Sequence, residues 1–385
     1  MRVCHVITRL IVGGAQENTL LTCEALRARG HEVILITGPT HGPEGSLVGR
    51  ATAGGYRLIE LPALVRPIHP VQDARALFAL LGLFRGLRPE IVHTHSSKAG
   101  ILARLAAAAA GIPGVVHTIH GLSFNRTQPL VLRAAYCELE RLCAGVTHRL
   151  ISVAEAMTRQ SLDAGIGAPD QYVTIYSGIE TERFDPSLYD STAIRTELGL
   201  APEHVVVATV ARLFRNKGYE QLIPAMAAAA DREPRLRFLW IGDGADRPRY
   251  EARLRRLGLS ERTTLVGLVP PGRIAPLLAA ADLLAHASLW EGLPRAVVQA
   301  LLMERPAVAF DLDGAPEVIR PGVCGELVLA GDSAALADAL VSLARDPARR
   351  TAYGRAGRRE CLARFDHRVM VQRIDEEYRH LSGNL

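Results

Sequence analysis

Residues 288–301 read SLWEGLPRAVVQAL. A short apolar run, Asp282 to Ala285, stands before them. Gly292 and Pro294 then open a stretch whose apolar residues recur at helical spacing, so the segment reads as strand, loop and helix in succession. The same unit repeats toward both ends of the chain. In the first half, strands are expected at Val3 to Thr8, Glu32 to Thr37, Arg57 to Leu61, Ile91 to His95, Val115 to Ile119, Arg149 to Val153 and Tyr172 to Ile175, with helices such as Ala15 to Arg29 and Ala99 to Ala110 between them. A polar stretch, GIETERFDPSLYDS (178–191), interrupts the alternation and reads as a linker. It resumes with strands near Val205 to Val210, Arg237 to Ile241, Thr264 to Val266, Asp282 to Ala285 and Ala307 to Phe310.

Short β-branched strands alternating with helices specify parallel sheets covered by crossover helices. The expectation is an α/β chain of two doubly wound, Rossmann-like domains. The first comprises residues 1–178 together with a returning C-terminal helix, 366–385, and the second comprises 179–365. Two such domains facing each other leave a cleft lined by the carboxyl ends of their strands, where ligands bind in sheets of this kind.

Composition narrows the classes further. The 385 residues are 48% hydrophobic and 22% charged, with 34 Gly and 22 Pro scattered, which excludes disorder, collagen and coiled coil. A net charge of +5, from 45 basic and 40 acidic residues, is too mild for a nucleic-acid partner but suits an anionic ligand or an anionic membrane surface. The six cysteines (Cys4, Cys23, Cys137, Cys143, Cys324, Cys361) form no C-x-x-C pair, so neither a zinc site nor a disulfide framework is expected. The start, MRVCHVITRLIVGG, lacks the apolar region of a signal peptide, and the longest apolar stretch, Ala99 to Val116, is broken by Arg104, Gly111, Pro113 and Gly114. A cytoplasmic protein, peripheral on the inner face of the membrane if it meets one, is the expectation.

Several residues stand where such folds present side chains to ligands. Gly13 and Gly14 follow the first strand and open a helix, either as an oxyanion site on backbone N–H groups or as a tight turn. Only two of the 45 basic residues are lysine. Lys217 lies in a strand-to-helix loop with Arg212 five residues before it, and an ammonium and a guanidinium fork there suit a diphosphate. Lys98 holds the equivalent place in the first domain, as a second anion contact or a solvated surface lysine. His93 and His95 face one side of their strand, but two ligands without a third make no metal site. His120, at a strand end before Gly121, reads either as a ligand contact or as a core histidine bonded to backbone. Glu291, before the helix, either accepts hydrogen bonds from sugar hydroxyls or caps the helix. Gln299, eight residues on, would lie about 12 Å along a continuous helix from it.

In order and spacing, GGAQ (13–16), HTHSSKAG (93–100), HTIHG (117–121), VARLFRNKG (210–218), IGDG (241–244), LVG (265–267), EGLPRAVVQAL (291–301) and DGAPEVI (313–319) resemble the retaining, nucleotide-sugar-dependent glycosyltransferases of family 4, with the GT-B fold. The likeness covers almost the whole chain. It implies that Arg212 and Lys217 neutralise the donor diphosphate, Glu291 binds donor-sugar hydroxyls, Gly13 and Gly14 offer backbone to the donor, and His120 lies beside the anomeric centre. It further implies donor contacts from Gly242, from Leu268 and Val269 at the base, and from Gly292, Leu293 and Pro294. The family pattern E-x7-E is here Glu291 followed by Gln299, so the ribose clamp is an amide rather than a carboxylate, which forgoes a charge-assisted bond.

Asp311-Leu312-Asp313 carries a D-x-D spacing, read here as a cap, by Asp313, for the helix carrying Glu317 rather than as a metal site; no metal and no cofactor beyond the donor is expected. The donor nucleotide expected is UDP or GDP.

The acceptor side mixes basic and apolar residues. Pro62 to Pro89 holds Arg66, Arg75, Arg85 and Arg88 around LFALLGLF, and Asn125 to Arg149 holds Arg126, Arg133, Arg141 and Arg149 around LVLRAAY. These segments read as amphipathic helices packed on their own sheet, or as a face for an anionic membrane. The second reading makes the acceptor a lipid-linked saccharide or a polyprenyl phosphate, with Lys98 and His120 toward it. The resulting expectation is a retaining hexosyltransferase of cell-surface glycan biosynthesis acting on a lipid-linked or saccharide acceptor. The alternatives on the same scaffold are a sugar-nucleotide epimerase and a catalytically silent nucleotide-sugar-binding subunit.

Overall fold

A strand buried on both faces is apolar along most of its length, and in RVCHVI and EVILIT, the first two strands, every residue after the first is buried and most are apolar. The computed structural model describes residues 1–42, 44–124 and 128–383; Arg126, part of the basic segment above, lies outside the described residues. The chain divides into two units, Met1–Gly178 with His367–Leu385, and Ile179–Asp366.

In the first unit, β1 (Arg2–Ile7), β2 (Glu32–Thr37), β3 (Arg57–Glu60), β4 (Ile91–His95), β5 (Gly114–Ile119), β6 (Arg149–Ser152) and β7 (Tyr172–Thr174) form a parallel sheet in the order β3-β2-β1-β4-β5-β6-β7. The register of β1 on β4 sets His5 opposite His93. Helices Pro70–Leu87 and Ser97–Ala109 cover one face, burying Ala76, Leu80 and Phe84 with Ala99 and Ala103 against Val6, Ile36 and Val92. On the other face lie Gly14–Ala28 and the C-terminal helix His367–Gly383, whose Met370, Val371, Ile374 and Tyr378 join Leu20, Cys23 and Leu26 over Val3, Ile7 and Leu35.

The second unit holds β8 (Val205–Val210), β9 (Leu236–Ile241), β10 (Thr263–Gly267), β11 (Leu283–His286), β12 (Ala307–Phe310) and β13 (Gly325–Val328) in the order β10-β9-β8-β11-β12-β13, all parallel. Its core is centred on Trp240, Tyr219 and Tyr250, the tyrosine rings lying 4.8 Å apart. The sequence reading did not anticipate β13. GELV is four residues at the sheet edge, with a glycine and a glutamate, and only its pairing with β12 makes it a strand. β11 also runs one residue further than expected, which carries His286 into the sheet.

Candidate active site

In a doubly wound sheet, ligands bind where the strand order reverses, beyond the carboxyl ends of the two strands flanking that point. In the second unit these strands are β8 and β11. The loop after β8 ends at Gly218, whose φ of +72° is left-handed and whose added Cβ would stand 1.7 Å from the Ala287 carbonyl oxygen. Glycine alone lets this loop press on the residue just past β11, and Leu289 N–H then donates to the Asn216 carbonyl at 2.9 Å. Lys217 is thereby placed beside Glu291, with Nζ 2.5 Å from Oε1. His286 Nε2 lies 3.4 Å from the same oxygen. The Glu291 backbone N–H donates to Asp313 Oδ2 at 2.8 Å, so both ends of this residue are fixed. Burial works to raise the Glu291 pKa, but the Lys217 ammonium and then His286 outweigh it and hold the carboxyl well below the ordinary range. The site therefore keeps an ionised carboxylate, 21% exposed, against a cation.

Three expectations for this region need correction. Helix Arg295–Leu302 has Pro294 at its N-cap, so Glu291 lies in the loop before it, and the 12 Å helical projection to Gln299 does not apply. Glu291 is for the same reason not the residue that caps this helix. Asp313, in a left-handed conformation with φ +52°, directs its carboxylate to the Glu291 N–H, and the N-cap of the Glu317 helix is Gly314.

The remaining donor residues surround the same strand ends. Arg212 is exposed just past β8, its guanidinium 5.2 Å from the Phe214 ring centroid. Gly242, φ +139°, follows β9; a Cβ there would lie 2.1 Å from the Ala211 carbonyl oxygen, and its N–H donates to Gly267 O at 2.9 Å. Leu268, 45% exposed, and half-buried Val269 follow β10. Gly292, Leu293 and Pro294 are buried, and Gln299 is half-buried on its helix. The structure thus brings Lys217 and Glu291 into contact and packs Gly242 against the Ala211–Arg212 backbone, whereas Gly13, Gly14, Lys98 and His120 belong to the first unit.

There the order reverses between β1 and β4. Ser96, φ +62°, follows β4 as the N-cap of helix Ser97–Ala109, and its hydroxyl meets that of Thr8 at 2.7 Å. Lys98, in the first turn of the following helix, puts Nζ 2.5 Å from Asp73 Oδ1 and also donates to the Pro67 carbonyl. Thr8, Arg9, Arg66, Asp73 and Lys98 supply the polar wall of a cavity of about 490 Å³, and Ile101, Leu102, Tyr136 and Leu139 its apolar wall. Gly13, in extended conformation, is the N-cap of helix Gly14–Ala28. His120 follows β5, with Nε2 3.1 Å from His95 Nδ1.

The sequence reading missed three participants. His286 and Asp73 meet Glu291 and Lys98 through loop and helix placement, which no local pattern encodes. His5 brings a ring nitrogen within 4.8 Å of those of His93 and His95, a third histidine supplied by strand register rather than by spacing.

Two Rossmann-like units, with a lysine–carboxylate pair at the switch point of the second, are the architecture of a GT-B glycosyltransferase. The glycosyl transferases group 1 family matches residues 190–360, and the glycosyl transferase 4-like domain matches residues 13–178. The chain is 28% identical over 350 residues to the Escherichia coli UDP-Gal:alpha-D-GlcNAc-diphosphoundecaprenol alpha-1,3-galactosyltransferase, covering 90% of this chain and 88% of that protein. It is 32% identical over 294 residues to EpsD of Bacillus subtilis, to which a glycosyltransferase activity is ascribed, covering 75% of this chain and 76% of that one. Anabaena HepE, solved with UDP and glucose, shares the fold with a TM-score of 0.83 at 22% identity, over 98% of this chain and 99% of that one. The chain belongs to the family 4-like GT-B glycosyltransferases. Among the described residues, no helix is long and apolar enough to cross a membrane.

Proposed function

We propose that this glycosyltransferase moves a hexose, with retention of anomeric configuration, from a UDP- or GDP-sugar to a lipid-linked or saccharide acceptor of a cell-surface glycan, at the inner face of the membrane. The observation that carries the reading is the Lys217–Glu291 pair at the β8/β11 switch point. A bound donor gives each partner a replacement ligand. The ammonium turns to the diphosphate together with Arg212, and the carboxylate accepts hydrogen bonds from sugar hydroxyls. Gly242 admits close approach, Leu268 and Val269 offer an apolar surface to the base, Gly292 to Pro294 frame the sugar, and Gln299 bonds the ribose as an amide. Gly13 and Gly14 offer backbone N–H groups at the start of their helix.

The departing diphosphate is stabilised by positive charge already in place, a term that is often the largest in such catalysis. Lys217 and Arg212 supply that charge, so the reading needs neither metal nor further cofactor. The leaving phosphate takes the acceptor's proton as the acceptor attacks the same face of the sugar, beside His120. On the acceptor side, the cavity at Lys98 joins cationic to apolar walls, as a phosphate with a hydrocarbon tail requires. The E. coli relative acts, by its name, on a diphosphoundecaprenol-linked sugar, which supports that class.

The test incubates purified chain with UDP- and GDP-sugars, with and without an undecaprenyl-diphosphate saccharide. Sugar transfer dependent on the lipid supports the reading. Turnover of the donor into an isomer without acceptor indicates an epimerase, and thermal stabilisation without any turnover indicates a binding subunit.

A further inference from the structure

Behind His120 a line of side chains runs through the core of the first unit. His120 Nε2 meets His95 Nδ1 at 3.1 Å, and His95 Nε2 meets His5 Nδ1 at 3.0 Å, with the His5 and His95 ring planes only 10° apart. His5 Nε2 lies 3.5 Å from the Tyr378 hydroxyl, which also contacts His93 Nδ1, and His93 Nε2 meets Thr118 Oγ1 at 2.6 Å. His5, His93, His95, Thr118 and Tyr378 are all buried, at most 2% exposed. Burial keeps the imidazoles neutral: it pulls His5 down to about 3 and lowers His93 and His95 well below the ordinary value, the neighbouring rings adding to the effect in the latter two.

A neutral imidazole has one donor and one acceptor nitrogen and the Tyr378 hydroxyl one hydrogen, so a run in a single direction is the order that gives every proton of the line an acceptor; both rings donating to Tyr378 would strand its own hydroxyl hydrogen. Thr118 sets the direction. Among the described residues its hydroxyl has one partner, His93 Nε2, and donation to that nitrogen leaves no buried hydrogen without an acceptor. His93 Nδ1–H then donates to Tyr378, Tyr378 to His5, His5 Nδ1–H to His95 Nε2, and His95 Nδ1–H to His120 Nε2. The opposite order would strand the Thr118 hydroxyl hydrogen.

We propose that this line fixes the tautomer of His120: Thr118, His93, Tyr378, His5 and His95 are positioning residues that keep His120 Nε2 an acceptor and its proton on Nδ1. His120 Nε2, occupied by the His95 proton, is then no base toward the reacting sugar. This second step rests on the reading of His120 as lying beside the anomeric centre; the tautomer itself does not.

Nitrogen-15 NMR of the full chain with labelled histidine tests it, the His120 signals being assigned by their loss in His120→Gln. The expected wild-type spectrum shows His120 protonated at Nδ1; a proton on Nε2 overturns the proposal, as does stoichiometric zinc held by His5, His93 and His95. Thr118→Val keeps shape and removes the hydroxyl, so His120 should become a mixture of tautomers, and Thr118→Ser should restore one; an unmoved spectrum in Thr118→Val overturns the line. If Thr118→Val does not fold, the wild-type spectrum decides. His95→Leu should lower kcat about tenfold by removing one hydrogen bond to a functional ring, with donor KM unchanged, and His95→Asn, which keeps a donor near Nδ1, should recover it. A wild-type spectrum as expected with kcat unmoved in His95→Leu leaves the line standing and overturns the role given to His120.

Discussion

The chain has two lysines, and each stands just past a strand at the switch point of its own unit with a carboxylate 2.5 Å away. The two pairs are built differently. Lys217 and Glu291 both sit in loops tied to strand ends: Gly218 tolerates no side chain against Ala287, and Asp313 holds the Glu291 backbone. Lys98 instead pairs with Asp73, in the first turn of a helix, whose other oxygen accepts from the His69 N–H at 3.0 Å, and this pair borders a large cavity with a partly apolar wall. A rigid pair suits a ligand whose charged part never varies, such as a sugar diphosphate. A pair on a helix beside an open, mixed wall suits a ligand with a constant phosphate and a variable remainder.

That contrast breaks most easily at Lys217. Lys217→Ala should lower kcat/KM by roughly 10²- to 10³-fold, as the loss of one preorganised charge at a developing anion does elsewhere. Steady-state kinetics against donor concentration checks it, and turnover like wild type would dissolve the distinction between the two lysines. Lys98→Met keeps most of the side-chain volume and should cost about tenfold in transfer, the scale of one charge-assisted hydrogen bond, while leaving the donor's Kd unchanged. A fall in donor affinity in Lys98→Met would mean that the first unit's pair serves the donor as well.

Much of this arrangement is legible in the chain itself. The alternation of short apolar strands with helices gives both sheets, and the rarity of lysine sets Lys98 and Lys217 apart from the arginines around them. What escapes is everything set by register and loop path. His5 becomes a neighbour of His93 and His95 because β1 pairs with β4. Asp313 turns to Glu291 because its own backbone is left-handed, and Gly292, Leu293 and Pro294 stand between Glu291 and the helix carrying Gln299, so no continuous helix sets their spacing. Periodicity reports which face a residue takes; it carries no record of which distant loop meets it.

The rigid pair also has a pH signature. Since the folded pKa of Glu291 is depressed, its ionisation stabilises the fold above the unfolded value of about 4.3 and loses that contribution as pH falls toward the folded value. Glu291→Gln should therefore be less stable than wild type at pH 7, with the gap narrowing below about pH 4. Urea midpoints of both proteins across pH 3 to 7 would show this, and a constant gap would mean that packing rather than charge holds the loop.

The smallest effect expected lies on the surface. Exposed large apolar residues of the second unit, Leu188, Leu257, Leu268, Leu329 and Leu362, are spread over separate segments, whereas the first unit, besides Ile68, Val71, Phe78 and Val369 elsewhere, presents Leu130, Val131, Leu132, Leu139 and Leu142 from the single helix Leu130–Ala144, with exposed Arg133 and Arg141 among them. Leucines at 80% and 60% exposure at its two ends, Leu130 and Leu142, gain nothing from the fold, and cations interleaved with apolar side chains are what an anionic bilayer surface attracts. Replacing Val131 and Leu142 by serine should change stability by less than about 0.5 kcal/mol per site, because neither side chain packs in the core. Co-sedimentation with phosphatidylglycerol vesicles should nonetheless fall, and transfer to a lipid-borne acceptor with it, while transfer to a water-soluble analogue stays constant. Equal loss on both acceptors would assign the helix to the packing of its own unit, and the difference between the two surfaces would then carry no function.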